Sequence, residues 1–301
     1  MYEQIASNVR KSWFLILLFV VLIMLLGYVF GELMRIGYFG VALALIIAMV
    51  MSFSGYYYSD KIVLTMSRAR PVEKEEYPYL YNVVEGLSIA AGNPTPKMYV
   101  IDDSAPNAFA TGRDPEHSAV AVTTGLLEKL NRVELEGVIA HEISHIQNYD
   151  IRLATLTAVM VGVVVLLSDW LLRSFWWGGR RRDSERGALT AVLLLIGIIL
   201  ALLSPLIAQL IRLAISRRRE FLADASGAML TRYPPGLASA LEKLAADREL
   251  LEVANKATAH LYIVNPLKDL RGAMNSLFNT HPPIEERIKR LREMSFELQT
   301  E

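Results

Sequence analysis

Two imidazoles four residues apart, with a carboxylate next to the first, stand in the stretch HEISHIQNYD at 141–150. On a helix, positions four apart differ by about 40° around the axis, so His141 and His145 share a face. Neutral imidazole nitrogens at that spacing are two of the ligands a tetrahedral zinc takes. Glu142, about 100° round from His141, is set to reach a water beside the metal rather than the metal itself. The chemistry this predicts is hydrolysis, with water activated between zinc and Glu142 and Glu142 acting as general base. Two helical histidines and a surface glutamate are the plain alternative. The chain has only five histidines, His117, His141, His145, His260 and His281, which makes that spacing a rare accident.

A catalytic zinc needs a third protein ligand and an open position for water. There is no cysteine, so disulfides and thiolate ligands are excluded and the third ligand is a His, Asp or Glu. An extension of the motif with glycine at 148 and histidine at 151 is missing, because Asn148 and Ile151 stand there. Asp150, about 180° round from His141, is not expected to join the two imidazoles. Further along, RRREFLADASGAML brings Glu220 and Asp224 one above the other on a helical face. Glu220 is the candidate third ligand, completing a site for one Zn(2+) per chain. Asp224 is the candidate acceptor for the free ring nitrogen of a ligand histidine, which would fix its tautomer. Asn148, about 20° from His141 around the helix, is a candidate outer partner. His117 in a polar turn and His260 in a helical stretch are read as lying outside the site.

The elements that carry these residues are divided by long apolar runs. The 301 residues are 53% hydrophobic with no net formal charge, a balance that points to no charged partner and no nucleic acid. Four stretches lack charge: Trp13 to Phe30, Ile36 to Phe53, Leu153 to Ser168 and Ala188 to Ile211. Eighteen helical residues rise about 27 Å, close to the thickness of a hydrocarbon core. The sequence therefore predicts an α+β integral membrane protein, predominantly helical, with about four transmembrane helices. Arg10 and Lys11 precede the first run, as in a signal peptide, but no small-residue cleavage pattern follows and a second run begins shortly after. The first run is read as an uncleaved anchor.

The expected organisation is a membrane anchor over 1–53, a first polar part over 54–152 with the HEISH helix, a membrane hairpin over 153–211, and a second polar part over 212–301. Within the first polar part, a helix over 75–91 should stop at GNPTP, and KMYVID, NAFAT and SAVAVT read as strands, the last two joined by GRDPEH. Helices follow over 124–130 and 132–149. In the second part, 212–231 is expected to prolong the fourth run, 236–250 to form an amphipathic helix, and PPIEERIKRLREM to start a last one. The metal helix is expected to continue straight into the third run, so that the hairpin returns Glu220 to the depth of the two histidines. Lys and Arg near the first two runs, together with Arg217, Arg218 and Arg219, place both termini and the active site on the cytoplasmic side. The arginine-rich loop at 173–187 conflicts with that topology, and its side stays open.

Five stretches in order carry a resemblance: NAFATG at 107–112, VAVTTGLL at 120–127, ELEGVIAHEISHIQNYD at 134–150, RRREFLADASGA at 217–228 and THPPIEERI at 280–288. Together they resemble the HtpX-type membrane zinc metalloproteases, relatives of the eukaryotic prenyl-protein endopeptidases. The resemblance implies a gluzincin-type protease domain with a small β-sheet, in a multi-pass protein of the cell membrane. It implies cleavage of membrane-associated or misfolded proteins, as part of membrane quality control, with the lipid bilayer as the other partner. It assigns His141, His145 and Glu220 as ligands and Glu142 as the catalytic glutamate. Asn107, Ala108, Phe109, Ala110 and Thr111 match an edge strand along which an extended substrate would lie, using backbone groups. His281 matches a histidine that steadies the oxyanion, a donor role worth roughly 3 kcal/mol. Arg287 matches a nearby arginine of the same motif.

Three rival classes are weighed against this. A metal transporter needs ionisable groups within the membrane, which the four runs lack. A catalytically silent adaptor has no use for a general base. A prenyl-peptide processing enzyme needs a chamber walled by more than four spans.

Overall fold

The structure is a computed structural model describing residues 2–33, 36–163, 216–253, 257–266 and 282–300. The loop at 173–187, the fourth apolar run, the end of the third and His281 lie outside the described residues.

Two helices, α1 (Tyr2–Leu33) and α2 (Tyr38–Tyr57), form an N-terminal hairpin. Among the described residues they are the two long and apolar enough to cross a membrane, over Ile5–Tyr28 and Tyr38–Tyr57. Their sequences explain their contact. A Cβ built on Gly27 would fall 2.1 Å from that of Ala44, and one on Gly40 would fall 2.7 Å from the Gly31 backbone. Small residues four apart on both helices let the backbones touch, which is how apolar helices gain packing energy where no hydrophobic drive separates them from lipid.

A short helix α3 (Ser59–Met66) leads into strand β1 (Arg70–Pro71), two elements absent from the sequence reading. Helix α4 (Pro78–Ala91) starts with proline in its first turn and stops at Gly92, whose φ of 69° closes the C-terminus. Strands β2 (Lys97–Ile101), β3 (Ala108–Gly112) and β4 (Ser118–Thr123) follow, all three where alternation placed them. The sheet order is β1-β2-β4-β3, with β2 and β4 parallel and the other pairs antiparallel, so β3 is an edge strand. Alternate residues feed opposite faces. Val100, Val120 and Val122 pack towards α4 and the metal helix, while Ile101, Ala119 and Ala121 pack against α3 and Tyr262.

After α5 (Thr124–Lys129) comes α6 (Arg132–Gln147), the HEISH helix. A reciprocal cap starts it: the Asn131 side chain accepts from the Glu134 N–H at 3.0 Å, and the Glu134 carboxylate accepts from the Asn131 N–H at 2.9 Å. Beyond the first turn nearly every α6 side chain is buried, because the sheet lies on one side and α8 (Arg217–Thr231) and α9 (Pro234–Ala246) on the other. Two glycines permit that enclosure. A Cβ on Gly137 would meet the Leu237 backbone nitrogen at 2.6 Å, and one on Gly227 would meet the His141 nitrogen at 2.9 Å. The chain closes with α10 (Ile284–Thr300), which packs on α9 and α8.

Two expectations are corrected here. The metal helix does not run on into the third apolar run. It ends at Gln147, Tyr149 takes a left-handed φ of 58°, and a new helix, α7, is described over 150–163. Nor does the stretch 212–231 form one helix, because Ser216 is extended (φ −106°, ψ 128°) and α8 begins after it. The first break lets the chain turn between α6 and α7. Leu15 and Phe19 of α1 pack against Leu153, Leu156 and Met160 of α7, which ties the first helix to the start of the third apolar run.

Candidate metal centre

Helix α6 presents His141 and His145 on one face, and α8, drawn in by Gly227, presents Glu220 opposite them. The two Nε2 atoms lie 3.2 Å apart. Glu220 Oε1 is 3.4 Å from Nε2 of His145, and Oε2 is 3.9 Å from Nε2 of His141. One donor atom from each of the three falls within 4.8 Å of the others. Zinc bonds of about 2.0–2.1 Å in tetrahedral array separate neighbouring ligand atoms by roughly 3.3 Å, so the donor set fits zinc in kind and spacing.

Behind each imidazole stands a carboxylate. Asp150 Oδ2 lies 3.0 Å from Nδ1 of His145, in hydrogen-bonding geometry. Asp224 Oδ1 lies 2.9 Å from Nδ1 of His141, within reach of a ring N–H though not aligned as a hydrogen bond. Arg287, fully buried, grips both oxygens of Asp224 at 2.7 and 2.8 Å, donates to the Ile263 carbonyl at 3.0 Å, and stands 3.7 Å from Glu220. Paired carboxylates of this kind hold ligand rings in one tautomer and orientation.

Residues 74–295 match the family model Peptidase family M48. The chain is also 54% identical over 293 residues to the Protease HtpX homolog of Dictyoglomus turgidum, covering 97% of this chain and 94% of that one. The chain belongs to peptidase family M48. As an HtpX-like member it is a metalloendopeptidase, a hydrolase of peptide bonds. A second Protease HtpX homolog, from Thermoanaerobacter pseudethanolicus, is 50% identical over 299 residues, 98% of each chain. Among solved structures, the crystal structure of S. mikatae Ste24p is similar at 20% identity and a TM-score of 0.48, over 97% of this chain and 66% of that one.

In this M48 peptidase the charges around the site are sharply unequal. Burial lifts the Glu142 carboxyl to about 7, with Glu220 adding to the rise and His145, the Ala110 N–H and Arg287 opposing it. Burial pulls the His145 imidazole down, but the Asp150 hydrogen bond and the charges of Glu220, Asp150 and Glu142 outweigh it and hold the ring at about 9. His141 is lowered by burial in spite of Asp224. Burial would raise Asp224, yet the Arg287 guanidinium overrides it and keeps the carboxyl at about 2. The metal-free site therefore holds one imidazolium that must lose its proton before metal can bind.

Most of the residues named from sequence converge here: His141, Glu142, His145, Glu220, Asp224 and Arg287. Among the described residues, Asn148 makes no hydrogen bond to the metal ligands. It caps α6, its side chain donating to the Ser144 carbonyl at 3.0 Å and its own carbonyl accepting from Asn8. Asp150, set aside because a continuing helix would point it away, returns to His145 because the helix has ended. His260, read as outside the site, lines the same cleft with Leu261, Tyr262 and Ile263, and its Nε2 lies 3.0 Å from the Ala154 carbonyl. No spacing to the HEISH motif marks it. The edge strand β3 runs along this cleft, with Ala110 in its wall, and outward groups at both of its ends are engaged. The Ala108 carbonyl accepts from Ile263 N–H at 3.0 Å, and Gly112 N–H donates to Thr155 Oγ1 at 3.3 Å. Asn107 fastens the facing segment through the Val264 carbonyl at 2.9 Å, Phe109 packs edge-on to Tyr262, and Thr111 meets Thr155.

Proposed function

We propose that the chain is a zinc-dependent endopeptidase of the cell membrane, cleaving membrane-associated or misfolded proteins in membrane quality control. The observation that carries the zinc reading is the convergence of two imidazole nitrogens and one carboxylate within 4.8 Å, with Glu142 buried beside them. His141, His145 and Glu220 would hold one zinc. When bound, zinc supplies Lewis acidity to water and to a substrate carbonyl.

The chain's own residues do the rest. Glu142 takes a proton from the attacking water and returns it to the leaving amine, a role suited to a carboxyl poised near neutrality. Asp150 and Asp224 hold the ligand rings, and Arg287 keeps Asp224 ionised. His281 is the proposed donor to the developing oxyanion. An extended substrate lies along Asn107 to Thr111, exchanging the Ile263 N–H for its own at the Ala108 carbonyl. Recognition through backbone groups tolerates many sequences, as a quality-control protease requires.

Two further points support placement in the bilayer with the site on the cytoplasmic side: the two apolar helices, and the basic residues beside their ends. The test is cleavage of casein and of a membrane protein by purified enzyme, with chelator, with zinc restored, and with Glu142→Gln. Cleavage that survives the chelator would discard the reading.

A further inference from the structure

Asn8 is a polar side chain on α1, only 2% exposed, five positions before the uncharged run that opens at Trp13. Its amide is fully committed. Nδ2 donates to Asp150 Oδ1 at 2.7 Å and to the Asn148 carbonyl at 3.0 Å, while Oδ1 accepts from Arg219 at 3.1 Å. The partners fix the amide's orientation, since the guanidinium can only donate and the carboxylate oxygen accepts. Arg219 also reaches Asp150 Oδ1, at 3.2 Å. The other oxygen of Asp150 faces Nδ1 of His145.

A chain of buried contacts thus runs from the first membrane helix, through one carboxylate, to a candidate zinc ligand. We propose that Asn8 is a positioning residue of the metal centre, holding Asp150 in the orientation that presents His145. The proposal rests on the reading of His145 as a zinc ligand. Without the amide, Asp150 keeps Arg219 but loses the donor that sets the angle of its carboxylate towards the imidazole. The same contact couples the seating of α1 to metal affinity, so a helix that fulfils an anchoring role also orders the active site.

The experiment is a zinc competition titration against a chromophoric chelator, on full-length protein in nanodiscs. Asn8→Asp keeps the shape and the acceptor for Arg219 but replaces the donor facing Asp150. Asn8→Ser removes the reach altogether and carries the same comparison where the aspartate variant does not accumulate. Each should raise the zinc dissociation constant about tenfold, the lower end of what outer partners of metal ligands contribute. Ser12→Ala, which loses only a bond to the Asn8 carbonyl on its own helix, should leave it unchanged. In an Asp150→Asn background the Asn8 substitutions should add less than about twofold, because their route is already cut. Equal losses with and without Asp150 would mean general damage to packing and would overturn the proposal. So would Asn8 variants that bind zinc as wild type does. Wild-type protein that takes up no zinc would instead sink the metal reading itself.

Discussion

Glu142 and His145 lie side by side in a buried cleft, and each displaces the other's proton balance. For Glu142, burial dominates and the carboxyl rests at about 7 without metal. A nearby divalent ion favours the ionised form, so the acid limb of kcat/KM should fall at or below about pH 7, with activity gained as pH rises through it. A limb well above 7 would contradict Glu142 as the base. Glu142→Gln should keep zinc and lose peptide hydrolysis by at least about a hundredfold. For His145 the raised value sets the opposite demand. Below about 9 the free imidazole carries a proton that metal must expel, and Glu142, about half protonated at pH 7, gives up its share as the ion favours its carboxylate. Zinc uptake at about pH 7 should therefore release between about one and two protons per ion, and affinity should fall as pH drops below about 9. Calorimetry in buffers of different ionisation enthalpy measures that release. Helical spacing pairs His141 with His145 and sets Glu142 beside them, because residues four apart share a face. Glu220 stands out instead through the Glu and Asp four apart on a second helix, once cysteine is excluded. Spacing fails for Asp150 because the projection assumes a helix that Tyr149 in fact breaks, and no glycine marks the left-handed position. From sequence, His260 reads as outside the site because its approach to the cleft is a matter of tertiary packing.

The glycine contacts between α6 and α8 govern whether two distant segments can share one ion. Gly227 lets the Glu220 helix approach until only backbone separates it from His141. Gly227→Ala should therefore push α8 outward, destabilise the fold by about 1–3 kcal/mol and weaken zinc binding. Gly86, in α4, has open space where a Cβ would go, so Gly86→Ala should raise the melting temperature slightly, helix propensity being the only term that changes. Melting curves for the two variants should move in opposite directions; a parallel shift would refute the packing argument. Strands β2, β3 and β4 and the stop of α4 could be read directly from alternation and from the Gly/Pro signal after 91, while the start of α4 falls at Pro78, three residues later than expected. The two-residue β1 is too short for any period, and α3 carries none of the stop signals that made its neighbours plain.

At the level of the whole molecule, the two N-terminal apolar helices and the region that matches the peptidase family are not independent pieces. Leu15 and Phe19 of α1 pack on Leu153 and Leu156 of α7, and the metal helix ends at the turn between them and the site. The cleft accordingly lies near the start of the third apolar run, which under the proposed function would put it within reach of a membrane-associated substrate. The chain contains no cysteine, so single cysteines report sidedness without background. Glu249→Cys and Arg290→Cys, both on the protease domain, should react with an impermeant maleimide only from the cytoplasmic face. Labelling from outside intact cells would reverse the proposed topology. Metal analysis of purified protein decides whether Glu220 closes a three-ligand site with His141 and His145. Wild type should carry one zinc per chain, and Glu220→Ala, folded and purified alike, should carry almost none. A Glu220→Ala protein that retains a full equivalent of tightly held zinc would contradict the account.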